Sequence, residues 1–310
     1  MHLSARNLRD TALAWRAAGV PAIVVEVQAI RGSTPREAGT RMLVAAPDWV
    51  DGKLEGKVEG TVGGGHLEWQ AIALARQALA DALGGAQPGA EPTSPRLQPW
   101  TQTFALGPSL GQCCGGSVCL GFAPLDDATL AAWALPAPRF HLELHGAGHV
   151  GQAIARLLAD VDCSVRWIDE RPAPGDTHMS DTQTSDRTGL PSPEALAALP
   201  GHIRFLPSDA AEAEVRDAPA GACHLVLTHR HDLDLRIVHA ILQRGDFAFL
   251  GMIGSRTKRA TFERRLRGMG HADAALARLA CPIGLPDLAG KEPAVIAISA
   301  VAQLLQRTPS

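Results

Sequence analysis

Three spaced glycines between a strand pattern and a helix pattern constrain the fold of this 310-residue chain most. Gly146, Gly148 and Gly151 follow the run "FHLEL" in the spacing Gly-x-Gly-x-x-Gly, and Asp169 ends the next strand pattern. The first glycine permits a tight turn, the second lets a pyrophosphate approach, and the third lets the helix pack on the strand. The pattern predicts a Rossmann-like unit that binds NAD(P) through these glycines, with Asp169 bonding a ribose hydroxyl. A Rossmann scaffold without a nucleotide is the alternative that the residues leave open.

Strand and helix patterns continue to alternate after these glycines, which is typical of a parallel sheet. The proline-bounded run "APLDDATLAAWALPAP" precedes them, so we place a domain boundary near Pro136–Arg139. We expect an N-terminal α/β domain at 1–136 and a Rossmann-like, doubly wound parallel-sheet domain at 139–310. Residues 172–193, rich in Pro, Gly, Ser and Thr, are predicted to form a long irregular loop.

Composition excludes several classes of function. The net charge is −3, from 29 basic and 32 acidic side chains, so the chain has no electrostatic footprint for nucleic acid or an anionic membrane. No apolar run approaches the roughly 18 residues of a membrane span, and the first residues lack the pattern of a signal peptide. We expect a cytoplasmic protein whose six cysteines are thiols rather than a disulfide scaffold.

The first strand of the Rossmann-like unit is unusually polar. His141, Glu143 and His145 alternate in it with apolar residues, although a central parallel strand is usually apolar on both faces. Either partners satisfy these polar groups, or one face of the strand meets a polar cavity or the other domain.

A second glycine run lies in the N-terminal half, before a predicted helix. Gly63, Gly64 and Gly65 form a plausible anion nest, and the run "RGSTPREAGTRMLV" supplies arginines that suit phosphates. The alternative is a strand-to-helix turn that needs a positive φ angle. Besides the glycines, the candidates here are Arg31, Arg36 and Arg41.

The run "THRHDLD", residues 228–234, lies where a predicted strand ends and a helix begins. Ligands of open α/β sheets bind at the carboxyl ends of strands, so His229, Arg230, His231 and Asp232 are functional candidates. Acidic residues at this place more simply favour the start of the helix than a metal site. Farther on, Ser255 is predicted to cap a helix, and Arg256 and Lys258 are predicted to assist an anionic ligand.

Two adjacent cysteines precede two glycines in the run "LGQCCGGSV". Adjacent residues of an extended segment point to opposite faces, so Cys113 and Cys114 do not suit one tetrahedral zinc. The residues alone leave two interpretations. One is a thiol, presented by the bend at Gly115 and Gly116, that binds or transfers something soft, and the other is a pair of ordinary buried cysteines.

Seven segments together resemble the XdhC/CoxI family, most closely its XdhC branch. They run in order from about Val25 to near the C-terminus: "RGSTPREAGTRMLV", "GTVGGGHLE", "LGQCCGGSV", "HGAGHVGQAIARLL", "THRHDLDL", "LGMIGSRTKR" and "CPIGLPDLAGKEPAVIAISAVAQLL". The resemblance implies a molybdenum-cofactor chaperone rather than a turnover enzyme. Such a protein holds molybdopterin, supports its sulfuration by a cysteine desulfurase and inserts it into apo xanthine dehydrogenase, or a related molybdenum hydroxylase, of purine metabolism.

The resemblance also implies a site. Cys114 holds the family's position before Gly-Gly, Cys113 matches the XdhC-like form, and Cys114 becomes the candidate thiolate contact to molybdenum. We infer that the cofactor contacts lie mainly in the N-terminal domain, and that the Rossmann-like half binds a nucleotide or supplies a docking surface. An NAD(P)-dependent oxidoreductase and a module that bridges desulfurase and target are the alternatives, and a homodimer is compatible with the sequence. The molybdopterin candidates are Cys113, Cys114, Gly115, Gly116, Gly63, Gly64, Gly65, Arg36 and Arg41.

Overall fold

A computed structural model describes residues 4–50, 53–84, 97–106, 116–171 and 189–308. The chain forms two compact units, Met1–Pro136 and Ala137–Ser310. Most of the predicted loop at 172–193 lies outside the described residues, as does the pair Cys113–Cys114.

The first unit is built on an antiparallel sheet of five strands. Its elements are α1 (Ala5–Ala17), β1 (Ala22–Arg31), β2 (Arg41–Ala45), β3 (Asp48–Val50), β4 (Lys53–Glu55), β5 (Val58–Gly60), α2 (Gly65–Gly84), β6 (Trp100–Ala105), β7 (Ser117–Pro124) and α3 (Asp127–Ala132). The strands follow the order β5-β2-β1-β7-β6, while β3 and β4 pair with each other.

The alternation of side chains along β1 explains how the two faces of this sheet are covered. Ile23 and Val25 are buried with the apolar side chains of α2. Val24 faces the other way and packs with apolar residues of α1 and α3. Glu26 and Gln28 continue this second face, where Glu26 is half-buried and Gln28 is exposed. Helices α1 and α3 therefore cover only part of it.

The second unit contains a six-stranded parallel sheet between helices. Its elements are β8 (His141–His145), α4 (His149–Leu158), β9 (Ser164–Asp169), α5 (Pro193–Ala197), β10 (Ile203–Pro207), a 3-10 helix (Ala213–Asp217), β11 (Cys223–Val226), α6 (His231–Arg244), β12 (Phe249–Met252), α7 (Arg256–Gly268), α8 (Asp273–Leu276), β13 (Leu279–Ala280) and α9 (Pro293–Arg307).

The strand order of this sheet is β10-β9-β8-β11-β12-β13. Numbered from one within the unit, the strands stand in the order 3-2-1-4-5-6 of the doubly wound Rossmann fold. One face packs on α4 and α9 and the other on α6, each around its own apolar cluster. The predicted fold class is confirmed, and the topological switch point lies between β8 and β11.

Local signals in the sequence explain several boundaries. The predicted cap is confirmed, since the hydroxyl of Ser255 accepts a hydrogen bond from the Lys258 N–H at the start of α7. Within the residues that the structure describes, no helix has the length and apolar character to cross a membrane. The short elements β3, β4, α8 and β13 were not predicted, because segments of two to four residues show too little periodicity.

Side-chain partners satisfy much of the polar strand β8. His141 Nε2 lies 2.7 Å from Glu143 Oε1, and Arg166 Nη1 lies 3.5 Å from the same oxygen. Arg166 also donates to Glu214 at 2.6 Å. The first of the two explanations predicted for this strand therefore accounts for His141 and for Oε1 of Glu143, whereas the buried Oε2 of Glu143 has no hydrogen-bond partner among the described residues.

His145 differs, because it is fully buried and stacks on His224 of the neighbouring strand with ring centroids 5.8 Å apart. Among the described residues, neither ring nitrogen of His145 has a hydrogen-bond partner. Burial lowers the pKa of His145 well below its ordinary value, and His224 and Arg166 lower it further. Burial likewise lowers the pKa of His224 to about 3, with Arg244 and His141 adding to the effect. Both imidazoles are therefore neutral in the folded protein.

This pair predicts loss of stability in acid. The unfolded chain protonates both histidines near pH 6.5, whereas the folded chain does not, so stability falls as the pH drops below 6.5. At pH 5 the expected loss is about 2 kcal/mol for each histidine. Urea unfolding between pH 7.5 and pH 5 measures it. In the variant His224→Leu one proton fewer is taken up on unfolding. The slope of the free energy of unfolding against pH should therefore fall by about 1.4 kcal/mol per pH unit. An unchanged slope in that variant would contradict the role of His224.

Candidate cofactor sites

In the first unit, the loop between β1 and β2 lies against Gly116, the second residue after Cys114. A Cβ atom at Gly116 would lie 2.3 Å from the carbonyl oxygen of Arg31 and 2.6 Å from that of Ser33. The carbonyl of Gly116 accepts a hydrogen bond from the Leu106 N–H at 2.7 Å. Only glycine allows this approach of two backbone segments, so the second glycine of "CCGG" has a structural reason. Cys113, Cys114 and Gly115 lie outside the described residues.

The glycine turn before α2 contacts the same loop. A Cβ atom at Gly63 would lie 2.6 Å from Cγ of Pro35, and the φ angle of Gly63 is +142°. The structure therefore brings together the arginine-rich loop, the turn Gly63–Gly65 and Gly116. These are the three segments in which the sequence placed the molybdopterin candidates.

The chain itself supplies a carboxylate to the glycine turn. Glu68, in the first turn of α2, accepts hydrogen bonds from the N–H groups of Val62 and Gly64, each at 3.1 Å, and from the hydroxyl of Thr61. A carboxylate at a helix N-terminus is favourable because the helix dipole is positive there. A phosphate at this turn would compete with Glu68 for these two N–H groups, so the anion nest stays a prediction.

The predicted arginines have different surroundings. Arg41 donates to Glu26 Oε1 at 2.7 Å, and its guanidinium lies 5.0 Å from the ring centroid of Trp133. Arg36 is half-buried in the loop, where its carbonyl accepts the hydroxyl of Thr34 at 3.2 Å. Arg31 is exposed at the end of β1. Arg41 is thus held in the sheet, while Arg31 and Arg36 stand in or beside the loop.

A cavity of about 540 Å³ lies beside this loop, and we call it the loop cavity. It lies against the N-terminal part of α1, the stretch Glu37–Arg41, the pair Gly60–Thr61 and the segment Trp133–Pro136. The loop cavity contains one of the predicted arginines, Arg41, and reaches the residue pair that leads into the glycine turn.

In the second unit, the three motif glycines meet three different demands. A Cβ atom at Gly146 would lie 2.4 Å from the carbonyl oxygen of Leu227, and one at Gly151 would lie 2.1 Å from that of Gly146. Gly148 is the N-cap of α4, and among the described residues no atom comes within 4 Å of its Cβ position. The first and third glycines thus serve close packing, whereas the second leaves room beside the backbone where the fold places a pyrophosphate.

Asp169 is engaged by the chain itself. It accepts from the N–H of Ala147 at 2.6 Å and from three N–H groups of Arg171, at 3.0, 2.7 and 2.8 Å. Burial alone would raise the pKa of Asp169, but the hydrogen bonds from Arg171 and Ala147 outweigh it and lower the pKa. A carboxylate has about four acceptor sites, so these four donors fill it. A ribose hydroxyl would have to displace one of them.

The run 228–234 lies at the carboxyl end of β11, beside the glycine motif. Glu170 links it to the end of β9, at 3.5 Å from His229 Nε2 and 3.3 Å from Arg230 Nη1. His231 and Asp232 are exposed at the start of α6. These side chains stand at the rim of the crevice where doubly wound sheets bind ligands.

Asp234 lies below this rim and is fully buried. Its carboxylate accepts from the N–H and the hydroxyl of Thr228, at 3.1 and 2.7 Å, and from Lys258 Nζ at 2.6 Å. Lys258 also donates to the carbonyl of Ile253 at 3.0 Å. Lys258, predicted to assist an anion, thus joins the starts of α6 and α7 as a buried ion pair.

The sequence did not predict three residues that hydrogen-bond to the predicted site residues, namely Glu26, Glu68 and Arg171. Only Glu68 carried a local signal, because an acid in the first turn of a helix is a common cap. Within the part of the chain that the structure describes, no group of three or more His, Cys, Asp or Glu side chains is arranged to hold a metal ion.

The fold defines the class: a two-unit α/β protein with an antiparallel sheet in the first unit and a Rossmann-like parallel sheet in the second. Family models match both units, "XdhC Rossmann domain" at residues 142–304 and "XdhC and CoxI family" at residues 15–86. The first match alone spans more than half of the chain. The chain belongs to the XdhC and CoxI family, as its sequence motifs predicted.

Two similar proteins extend this comparison. The chain is 27% identical over 286 residues to the uncharacterized protein YqeB of Escherichia coli K12, covering 92% of this chain and 43% of that relative. A solved structure described as a xanthine dehydrogenase from Bacillus halodurans shares the fold with a TM-score of 0.65. It is 18% identical, and the match covers 98% of this chain and 96% of that one.

The glycine geometry predicts losses of stability of different size for the same substitution at two positions. Gly151→Ala should lower the free energy of unfolding by about 2–3 kcal/mol, because its Cβ would force α4 away from Gly146. Gly148→Ala, its matched control, should cost about 1 kcal/mol or less, because its Cβ enters open space. Urea denaturation measures both. Equal losses would contradict the packing role of Gly151.

Proposed function

We propose that the protein binds molybdopterin in its first unit and delivers it to an enzyme of the xanthine dehydrogenase type during maturation. The observation that carries the proposal is the convergence of the loop 32–40, the turn Gly63–Gly65 and Gly116 in a chain of the XdhC and CoxI family.

Each converging segment would take a different part of the cargo. Molybdenum accepts soft sulfur ligands, so the proposed contact to the metal or its sulfur is the thiolate of Cys114, two residues before Gly116. The phosphate of molybdopterin suits the loop, where Arg36 is half-buried and Arg31 exposed. Sulfuration by a cysteine desulfurase while the cofactor is held, and its insertion into the apoenzyme, are parts of the same proposal.

Glu68 gives the phosphate interaction a competitor. Because Glu68 already bonds the N–H groups of Val62 and Gly64, a phosphate gains less from the glycine turn than from the arginines. This competition favours a moderate affinity for the cargo. A protein that must release its cargo requires such an affinity.

Cofactor retention tests the thiol role. We expect the chain, expressed together with a molybdenum-cofactor pathway and purified without oxygen, to carry molybdopterin, quantified as a fluorescent pterin after oxidation. Cys114→Ala should lower the retained amount about tenfold, as for a lost contact worth about 1.4 kcal/mol. The double variant with Cys113→Ala should retain no more than the single variant.

Cys119→Ala is the matched control, since Cys119 lies within β7 and outside the converging segments. Its retention should equal that of the unmutated chain. The proposed function is wrong if the unmutated protein carries no molybdopterin, and the thiol role is wrong if the double variant retains as much as the control.

A second candidate function is nucleotide binding by the second unit, and the open space at Gly148 favours it. That glycine and the start of α4 suit a pyrophosphate, which binds well at helix N-termini. Asp169 does not fit a ribose diol in the same way, because four N–H donors already fill its carboxylate. We therefore propose binding through the phosphates, and derive no hydride transfer.

Calorimetry with NAD⁺, NADP⁺ and ADP tests this candidate. Gly148→Val should weaken the binding of all three at least about tenfold, because two methyl groups then fill the approach to the backbone. Gly148→Ala, which adds a single methyl group, should weaken it less. The candidate function is refuted if the unmutated protein binds none of these nucleotides.

A further inference from the structure

A second cavity, of about 230 Å³, opens on the partly covered face of the first unit's sheet. We call it the sheet cavity, and we propose that it binds a flat fused heterocycle with an amidine-type N–H/NH₂ edge, the edge that a pterin and a guanine share. Its identity as the pterin of the cargo rests on the proposed function. The lining residues that carry the proposal are Glu26, Gln28, Arg41, Thr101, Gly121 and Trp133.

Strand register places four of these residues in one row. Arg41 of β2 is paired with Glu26 of β1, Glu26 with Gly121 of β7, and Gly121 with Thr101 of β6. Directly paired residues of neighbouring strands share a face of the sheet. A cation, a carboxylate, an open position and a hydroxyl therefore follow one another across the floor of the sheet cavity.

Gly121 leaves room for the side chain of Gln28 on this floor. A Cβ atom there would lie 2.2 Å from Nε2 of Gln28, so the amide of Gln28 lies over a position that has no side chain. An alanine would push this amide aside. The absent side chain at Gly121 thus positions a polar group directly at the cavity.

Glu26 supplies the acceptor that an amidine edge needs. Its side chain is 33% exposed, and the bond from Arg41 Nη2 uses one of about four acceptor sites of the carboxylate. Two parallel N–H donors on a ring edge match the two oxygens of a carboxylate, and charge assistance strengthens such pairs. Beside it, Arg41 and Gln28 offer donors for a ring oxo group.

The remaining lining suits a flat ring. Trp133 and Ala132, at the end of α3, and the sheet residues Val24 and Ala123 add apolar surface to the polar row. Pockets for drug-sized ligands usually span about 300–1,000 Å³, so a cavity below that range suits a ring system rather than a whole cofactor.

The loop cavity provides space for the rest of such a ligand. Both cavities are lined by Arg41 and Trp133, which therefore stand between them. A ligand with its ring in the sheet cavity could extend a phosphate arm past Arg41 into the loop cavity, toward the loop that holds Arg36.

Binding of free bases to the purified full chain tests the heterocycle site without any molybdenum cofactor. We expect pterin and guanine to bind, as measured by fluorescence titration and calorimetry. Adenine, whose NH₂ group is flanked by unprotonated ring nitrogens rather than by a ring N–H, should bind at least about tenfold more weakly. Glu26→Gln keeps an oxygen for Arg41 but loses the charge, and should weaken pterin binding at least about tenfold.

Two further variants complete the test. Gly121→Ala should also weaken pterin binding, because the displaced Gln28 amide enters the cavity. Glu194→Gln makes the same change at an exposed position of α5 in the second unit and should leave the affinity unchanged. Thermal unfolding of each variant shows whether it is folded. If Glu26→Gln does not fold, Gly121→Ala still tests the site.

The outcomes separate this inference from the proposed function. Equal binding of adenine and pterin, or pterin binding unchanged in both Glu26→Gln and Gly121→Ala, would overturn the heterocycle site even if the chain carries molybdopterin. Selective pterin binding that both variants weaken would support the site even if no molybdopterin is retained, and then only the proposed cargo would be wrong.

Discussion

Both units depend on one constraint: two backbone segments approach each other so closely that only glycine fits between them. In the second unit, Gly146 lies against the carbonyl of Leu227 and Gly151 against that of Gly146, which joins the ends of β8 and β11 and seats α4. In the first unit, Gly116 lies against the carbonyls of Arg31 and Ser33. Each contact fixes the edge of a candidate site to the sheet beneath it, so the geometry of the site follows from the fold.

Internal carboxylates then decide what these edges can bind. Glu68 bonds two N–H groups of the glycine turn, and Asp169 bonds the N–H of Ala147 in the glycine motif together with Arg171. A phosphate or a ribose meets sites that already contain an anion, so its net gain is the difference between two similar interactions. Under the proposed function, this competition favours release of the cargo.

The long elements and the tight turn at the glycine motif could be predicted from the sequence, because both depend on local pattern. The 3.6-residue period of α2 and α9, the apolar run of β1 and the cap at Ser255 can each be read within one segment. The pair Arg41–Glu26 could not be predicted, because it depends on the register of two strands. The four donors on Asp169 depend on the side-chain conformation of Arg171, and the choice between the two explanations for the polar strand β8 depends on the positions of Arg166 and Glu214. Long-range register and side-chain geometry are the information that the pattern lacks.

Arg41 shows why register matters for function. Predicted from the sequence to bind a phosphate, it is paired with Glu26, lies 5.0 Å from the ring centroid of Trp133 and is 15% exposed. A guanidinium has five N–H donors, and the bond to Glu26 uses one of them. Since Arg41 lines both cavities, the same group can donate to a ring oxo group on one side and to an anion on the other. Its position between the two cavities therefore favours a ligand that has a heterocycle and a phosphate at opposite ends over a ligand that has either one alone.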